Sequence, residues 1–135
     1  VNPNGPYFRA GSDGDNGQTG RKLVMDYYGP RVPIGGGALS GKHPAHVDRL
    51  AAYAARQAAI HAVRTGSKEC LIRLAYAPNC NGPLEVIWEM EGRGEKQPRS
   101  HFNLDAMLAR VDVQAIAAGL GQGTHFWDAR LPWNK

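Results

Sequence analysis

Residues 35–56 read GGGALSGKHPAHVDRLAAYAAR. The stretch changes character in the middle. Its first part is glycine and small residues ending in Gly41-Lys42, and its second part is rich in alanine. Val47, Ala51, Ala54, Ala58 and Ala62 recur at helical spacing, and alanine is the best helix former. The pattern predicts a helix within residues 43–66. Pro44 suits its first turn, where a missing N–H costs nothing, and Gly66 is a natural stop. Small alanines on the buried face let such a helix lie close against a sheet.

The glycine half poses a separate question. Gly36, Gly41 and Lys42 stand at the spacing of a phosphate-binding P-loop, G-x-x-x-x-G-K-[ST], with His43 in the last position. A P-loop follows directly on a strand, and its hydroxyl holds magnesium. Here the preceding strand is expected to end near Gly29, Pro30 and Pro33 intervene, and imidazole cannot replace a hydroxyl. The loop is therefore not a P-loop. It still places a lysine at the mouth of a helix, where anions bind well.

Residues 1–22 carry turn-forming residues and read as loop. KLVMDYYG (22–29) is the first strand candidate, followed by a long connection over 29–43. KECLIRLAYAPN (68–79) and PLEVIWEMEG (83–92) read as a hairpin around the turn-forming NCNG. In the second of these, Leu84, Val86, Trp88 and Met90 alternate with Glu85, Ile87, Glu89 and Glu91, the pattern of a strand buried on one side. FNLDAMLARVDVQAIAAG (102–119) places Leu104, Leu108, Val111 and Ala115 on one helical face, closed by Gly119. An irregular tail with three aromatic residues ends the chain. The order β-α-β-β-α predicts an α+β fold, a mostly antiparallel sheet with helices packed on one face. We expect one domain over 1–135. Residues 1–43 would form a loop segment with the first strand, and 44–135 a helix, hairpin, helix and tail.

The 135 residues suit one core, with 42% hydrophobic residues and no apolar run of membrane-spanning length. The opening residues resemble neither a signal nor a transit peptide. The chain opens at Val1 rather than Met, which points to a processed piece or one part of a larger polypeptide. Net charge is +4, which favours anionic partners. Nucleic acid is not expected, because no basic block and no aromatic-basic platform occurs. Cys70 and Cys80 form no metal-type pair and read as reduced cytosolic thiols, with a disulfide across the hairpin as the alternative.

Two further motifs carry candidate chemistry. In GDNGQTGRK (14–22), Asp15 sits among glycines that let backbone approach a ligand, and Arg21 and Lys22 enter the first strand. Adjacent cations at a strand start are more often solvated surface. HPAHVD (43–48) offers His43, His46 and Asp48 as metal ligands, but no further ligand is evident, and zinc is not expected. Asp48 also has a plain role as a first-turn acid favoured by the helix dipole.

Together, GDNGQTGRKLVMDYYG and GGGALSGKHPAHVDRLAAYAAR resemble the S-adenosylmethionine synthetase (methionine adenosyltransferase) family. That family carries GD-x-G-x-TGRK and GGGAFSGKD-x-x-KVDRSAAYAAR in this order and spacing. LAYAPNCNGPLEVIWEMEG is similar to its SYAIG…P hairpin, and His125-Phe126 and Pro132-Trp133 to its GHFGR…FPW end. The resemblance covers almost the whole chain and implies the family's last domain with the catalytic loop leading into it.

The resemblance implies a reaction in which methionine sulfur attacks the ribose C5′ of ATP. The entire triphosphate departs and is cleaved to phosphate and pyrophosphate, with magnesium and potassium assisting. It also implies roles. Arg21 and Lys22 hold the triphosphate and promote its hydrolysis, and Lys42 holds phosphate. Ala38 lines the nucleotide site, Asp15 contacts adenosine and methionine, and Asp48 holds magnesium. His46 takes the place of a family lysine that contacts methionine or phosphate, and His43 that of an aspartate. Pro6 replaces the arginine of the family's NPTGRF.

The family's chain has three similar domains, and its sites lie between two subunits. The part absent here supplies a catalytic His and Asp, the potassium-site carboxylates and much of the methionine pocket. The resemblance therefore implies a cytoplasmic subunit or fragment. It needs a second polypeptide with the N-terminal domains, a homo-oligomer, or both, and an exposed apolar sheet face is expected. The alternative is a non-catalytic structural or regulatory subunit that binds nucleotide or polyphosphate.

Overall fold

The computed structural model describes residues 8, 26, 29–33, 39–120 and 124–135. The strand expected over 22–29 falls largely outside these, and Asp26 itself lies in a turn. The described elements are helix α1 (Val47–Arg64), strands β1 (Ser67–Ala75) and β2 (Glu85–Gly92), and helices α2 (Leu104–Arg110) and α3 (Val113–Leu120). Short 3-10 turns occupy Arg99–Phe102 and Pro132–Asn134.

Helix α1 starts later than Pro44 suggests. Pro44 follows the first residue of a turn closed by His46 N–H on the His43 carbonyl at 2.9 Å, the position where its fixed φ is favoured. His46 then caps α1. At the other end, Thr65 donates its N–H and hydroxyl to the His61 carbonyl. Gly66 turns the chain away at φ 125°, where a side chain would be strained.

Strands β1 and β2 pair antiparallel, with Ile72 opposite Trp88 and Leu74 opposite Val86. These inward residues, with Tyr76, pack on a core of Leu50, Ala54, Ala58, Phe102 and Met107. Ala58 and Ala62 have no exposed surface, so small side chains do bring α1 down on the sheet. The other face is not the apolar one expected. Arg73 pairs with Glu89, Lys68 with Glu91 and Arg31 with Glu69, leaving Leu71 and Ile87 among charges. Cys70 and Cys80 are free thiols.

The single helix expected over 102–119 is two. Val111 is extended at φ −118°, ψ 113°, and the Asp112 carboxylate accepts the Ala115 N–H at 3.1 Å, the geometry of an N-cap starting a second helix. Met107 is consequently the buried residue of α2, while Leu108 and Ala115 are exposed. Asn81 in the hairpin loop completes α2 from across the fold. Its carbonyl and side chain accept the Leu104 and Asp105 N–H groups at 2.8 and 3.1 Å.

Helix α1 is buried on two flanks. The second flank packs Tyr53 with Leu39, Leu120, Leu131 and Trp133, which draws the C-terminal tail over the helix. No described helix is long and apolar enough to cross a membrane.

His101 gives the fold an acid limit. Its Nε2 is buried with no hydrogen-bond partner among the described residues. Burial, then the Arg110 charge, lowers its pKa from 6.5 to about 4, and a hydrogen bond with the Ala54 backbone offsets this in part. The unfolded chain therefore takes up this proton below pH 6.5 while the folded chain does not. Stability is full above 6.5 and falls as pH drops towards 4. The full linkage would be about 3 kcal/mol. Solvent screening of the half-buried ring brings the expected loss to about 1–2 kcal/mol. Urea unfolding at pH 7.5 and 4.5 measures it, and His101→Gln should flatten the slope. An unchanged slope in that variant would contradict the assignment.

Candidate functional site

The loop into α1 is built on one turn. Lys42 N–H reaches back to the Leu39 carbonyl at 3.3 Å, and Gly41 occupies the third position at φ 81°, as a type II turn requires. The turn is gripped from two sides. The buried Asp26 carboxylate accepts Leu39 N–H at 2.7 Å, Ser40 N–H at 3.1 Å and the Ser40 hydroxyl at 2.7 Å. Arg49 Nη1 donates to the Lys42 carbonyl at 2.7 Å.

Lys42 is thereby presented beside the first turn of α1, where its ammonium pairs with the Asp48 carboxylate. Both side chains are about one quarter exposed, at 27% and 28%. The ammonium has three donors, so one bond to Asp48 leaves capacity for a phosphate oxygen. His46 Nδ1 accepts the Asp48 N–H at 3.2 Å, so that atom carries no proton. Its 3.6 Å approach to Asp48 Oδ2 is therefore not an ion pair. Desolvation and the Lys42 and His43 charges lower the His46 pKa, in agreement with a neutral ring. His43 likewise accepts the Ala45 N–H through Nδ1 at 3.1 Å. The two histidines shape and cap the helix start.

Behind the turn lies a directed chain of hydrogen bonds. Arg49 Nε donates to Tyr53 Oη at 3.1 Å, and Tyr53 Oη lies 2.9 Å from His125 Nδ1. Ser40 Oγ lies 3.5 Å from His125 Nε2 and donates to Asp26. Because Tyr53 receives from Arg49, its proton is free to go to His125. All five side chains are buried. Burial and Arg49 lower the His125 pKa against the opposing pull of Asp26, so the ring is neutral and its 3.9 Å approach to Asp26 is not an ion pair. The tail locks this chain, because Trp133 Nε1 and Asn134 Nδ2 both donate to the His125 carbonyl, at 2.6 and 3.1 Å.

Of the residues singled out from the sequence, the structure brings Lys42, His46 and Asp48 together. Asp15, Arg21, Lys22 and Ala38 lie outside the described residues, as does Pro6. The sequence reading assigned nothing to Asp26, Arg49, Tyr53 or His125. Arg49 and Tyr53 did leave a signal: a charge and a hydroxyl four apart on the buried flank of α1.

Magnesium held on a phosphate chain keeps several waters and takes only one or two protein carboxylates. Asp48 offers one carboxylate beside Lys42. Among the described residues, no three His, Cys, Asp or Glu side chains gather to hold a metal. The donor set fits an ion shared with phosphate and does not fit a closed protein cage.

Residues 10–133 match the family model of the S-adenosylmethionine synthetase C-terminal domain. The chain belongs to the S-adenosylmethionine synthetase family. Its α+β architecture agrees with that domain. It is 50% identical over 96 residues to an S-adenosylmethionine synthase of Methylobacterium nodulans, covering 70% of this chain and 24% of that protein. It is 48% identical over 99 residues to the Ruegeria pomeroyi synthase, covering 73% and 25%. For the Rhodospirillum centenum synthase the figures are 49% over 96 residues, 70% and 25%. The chain thus spans about a quarter of the length of the curated synthetase relatives it matches.

Proposed function

We propose that this chain supplies the triphosphate-binding part of a methionine adenosyltransferase and acts with a partner polypeptide that carries the remaining domains. The observation that carries this reading is the fixed presentation of Lys42. Its carbonyl is tied by Arg49, its ammonium is oriented by Asp48, and the turn before it is clamped by Asp26. A departing triphosphate gains negative charge as the C5′–O bond breaks. A cation held ready for it stabilises the transition state more than the ground state. The attacking thioether has no proton to lose, so this step needs no general base.

In this reading Lys42, Arg21 and Lys22 surround the triphosphate, while Ala38 and Asp15 border the nucleoside and methionine. His46, capping α1 as a neutral ring, would border the phosphate chain without adding charge. Asp48 would hold magnesium, which when bound neutralises phosphate charge. Asp48 would also keep the Lys42 ammonium aimed at the phosphates. Potassium would belong to carboxylates of the partner, and the assembly would work in the cytoplasm, with or without a second copy of this chain.

Reconstitution tests the proposal. The chain is mixed with an N-terminal synthetase polypeptide, ATP, methionine, magnesium and potassium, and S-adenosylmethionine is measured. We expect product only when both polypeptides are present. Tripolyphosphate binding without product would instead support a non-catalytic subunit, a reading favoured by His43 and His46 serving as turn and cap. Neither product nor binding would overturn both.

A further inference from the structure

We propose that Arg49 is a positioning residue for Lys42, set in place by the buried chain through Tyr53, His125 and Ser40 to Asp26. The biological meaning of this rests on the phosphate role proposed for Lys42.

A buried guanidinium stands at one end of this hydrogen-bonded chain and a buried carboxylate at the other. Both terminate on the same four residues. Asp26 takes the amides of Leu39 and Ser40, and Arg49 takes the carbonyl of Lys42. The turn is thus closed into a ring of hydrogen bonds that returns to itself through α1 and the tail. The outermost bonds engage the backbone of the turn, as donor at Leu39 and Ser40 and as acceptor at Lys42, which is what a device for fixing a loop requires.

The order of donors gives the ring one arrangement. Arg49 can only donate, Asp26 can only accept, and the groups between them hand protons in one direction. Neutral His125 fits this order and a protonated ring would break it, because Nδ1 must accept from Tyr53. Arg49 also needs its planar fork. Nε serves Tyr53 while Nη1 serves Lys42, a fixed planar spread of donors that the single compact nitrogen of a lysine does not reproduce. Tyr53 is itself fixed by Trp133, stacked at 3.8 Å and 3° from parallel. The C-terminal tail therefore sets, through two buried side chains, the loop at the mouth of α1.

The test is a set of double-mutant cycles on the chain, read by calorimetry with tripolyphosphate. Arg49→Met, Arg49→Lys and Tyr53→Phe are each measured with Lys42 intact and in the Lys42→Met background. If Arg49 acts through Lys42, Arg49→Met should weaken binding about tenfold with Lys42 intact and less than about twofold without it. Arg49→Lys should rescue little. Tyr53→Phe, which keeps the ring stack and the net charge, should show the same dependence with about a threefold effect. Equal losses in both backgrounds would overturn the proposal, since lost charge or general damage would not depend on Lys42.

A second measurement needs no ligand. Hydrogen exchange at the Lys42 amide should accelerate about tenfold in Arg49→Met and Tyr53→Phe while β1 and β2 amides stay unchanged. Unaltered exchange at Lys42 would also overturn the proposal. If the unmodified chain alone fails to bind tripolyphosphate, reconstitution decides the functional reading, and this exchange result decides the positioning role.

Discussion

Trp133→Ala is expected to lower the unfolding free energy by about 3–5 kcal/mol. Trp133 is 1% exposed near the very end of the chain. It lies flat on Tyr53 and belongs to the cluster with Leu39, Leu120 and Leu131. An alanine there leaves a cavity that the helix cannot close, because α1 is held on its other flank by the sheet. The indole N–H also donates to the His125 carbonyl at 2.6 Å. Trp133→Phe separates the two contributions. It keeps most of the stack and loses the hydrogen bond, which Asn134 Nδ2 partly covers, so it should cost only about 1 kcal/mol. Thermal unfolding followed by circular dichroism checks both. For a chain of this size, Trp133→Ala should lower the midpoint by roughly 10 °C or more. A fall no larger than that of Trp133→Phe would show that the tail is not part of the core.

The tail also marks what could be read from the residues alone. Helix α1 was legible because alanine spacing and its stop signal agree. The hairpin was legible because β2 alternates strictly and its turn residues are strong. Local chemistry decides both. The expected single helix over 102–119 failed because apolar spacing continued through Val111 while Asp112 started a new N-cap. The competing signal was a capping residue inside an apparent stripe. Pro44 was placed one turn too far into the helix, because a proline that opens a turn and one that opens a helix look alike in sequence.

The candidate site divides in the same way. Lys42 and Asp48 were legible because both belong to one motif, six residues apart on either side of a helix start. Asp26, Arg49, Tyr53 and His125 come from three separate parts of the chain. Their partnership depends on how the tail folds back over α1, and no local pattern encodes that. Tyr53 and Arg49 read as helix residues, and His125 reads as a tail residue. Only their three-dimensional meeting shows that polar atoms on the buried flank of α1 are hydrogen-bonded to each other.

Lys42→Met should have the largest effect on function. In the reconstituted enzyme we expect kcat to fall about 10²–10³-fold, the scale of removing one preorganised charge stabiliser from a transition state. KM for ATP should rise less than about tenfold, because in the proposed site Arg21 and Lys22 would share the intact triphosphate with Lys42, and its charge grows only as the bond breaks. Methionine keeps the apolar stem, so packing at the mouth of α1 is retained. Lys42→Arg should recover only part of the rate, since a planar fork cannot replace a compact ammonium paired with Asp48. Asp48→Asn gives the complementary readout. It should raise the magnesium concentration needed for half-maximal rate, a change that Lys42→Met should not produce. A folded Lys42→Met protein with an unimpaired rate would remove Lys42 from the reaction. The charge that meets the departing triphosphate would then have to come from elsewhere in the assembly.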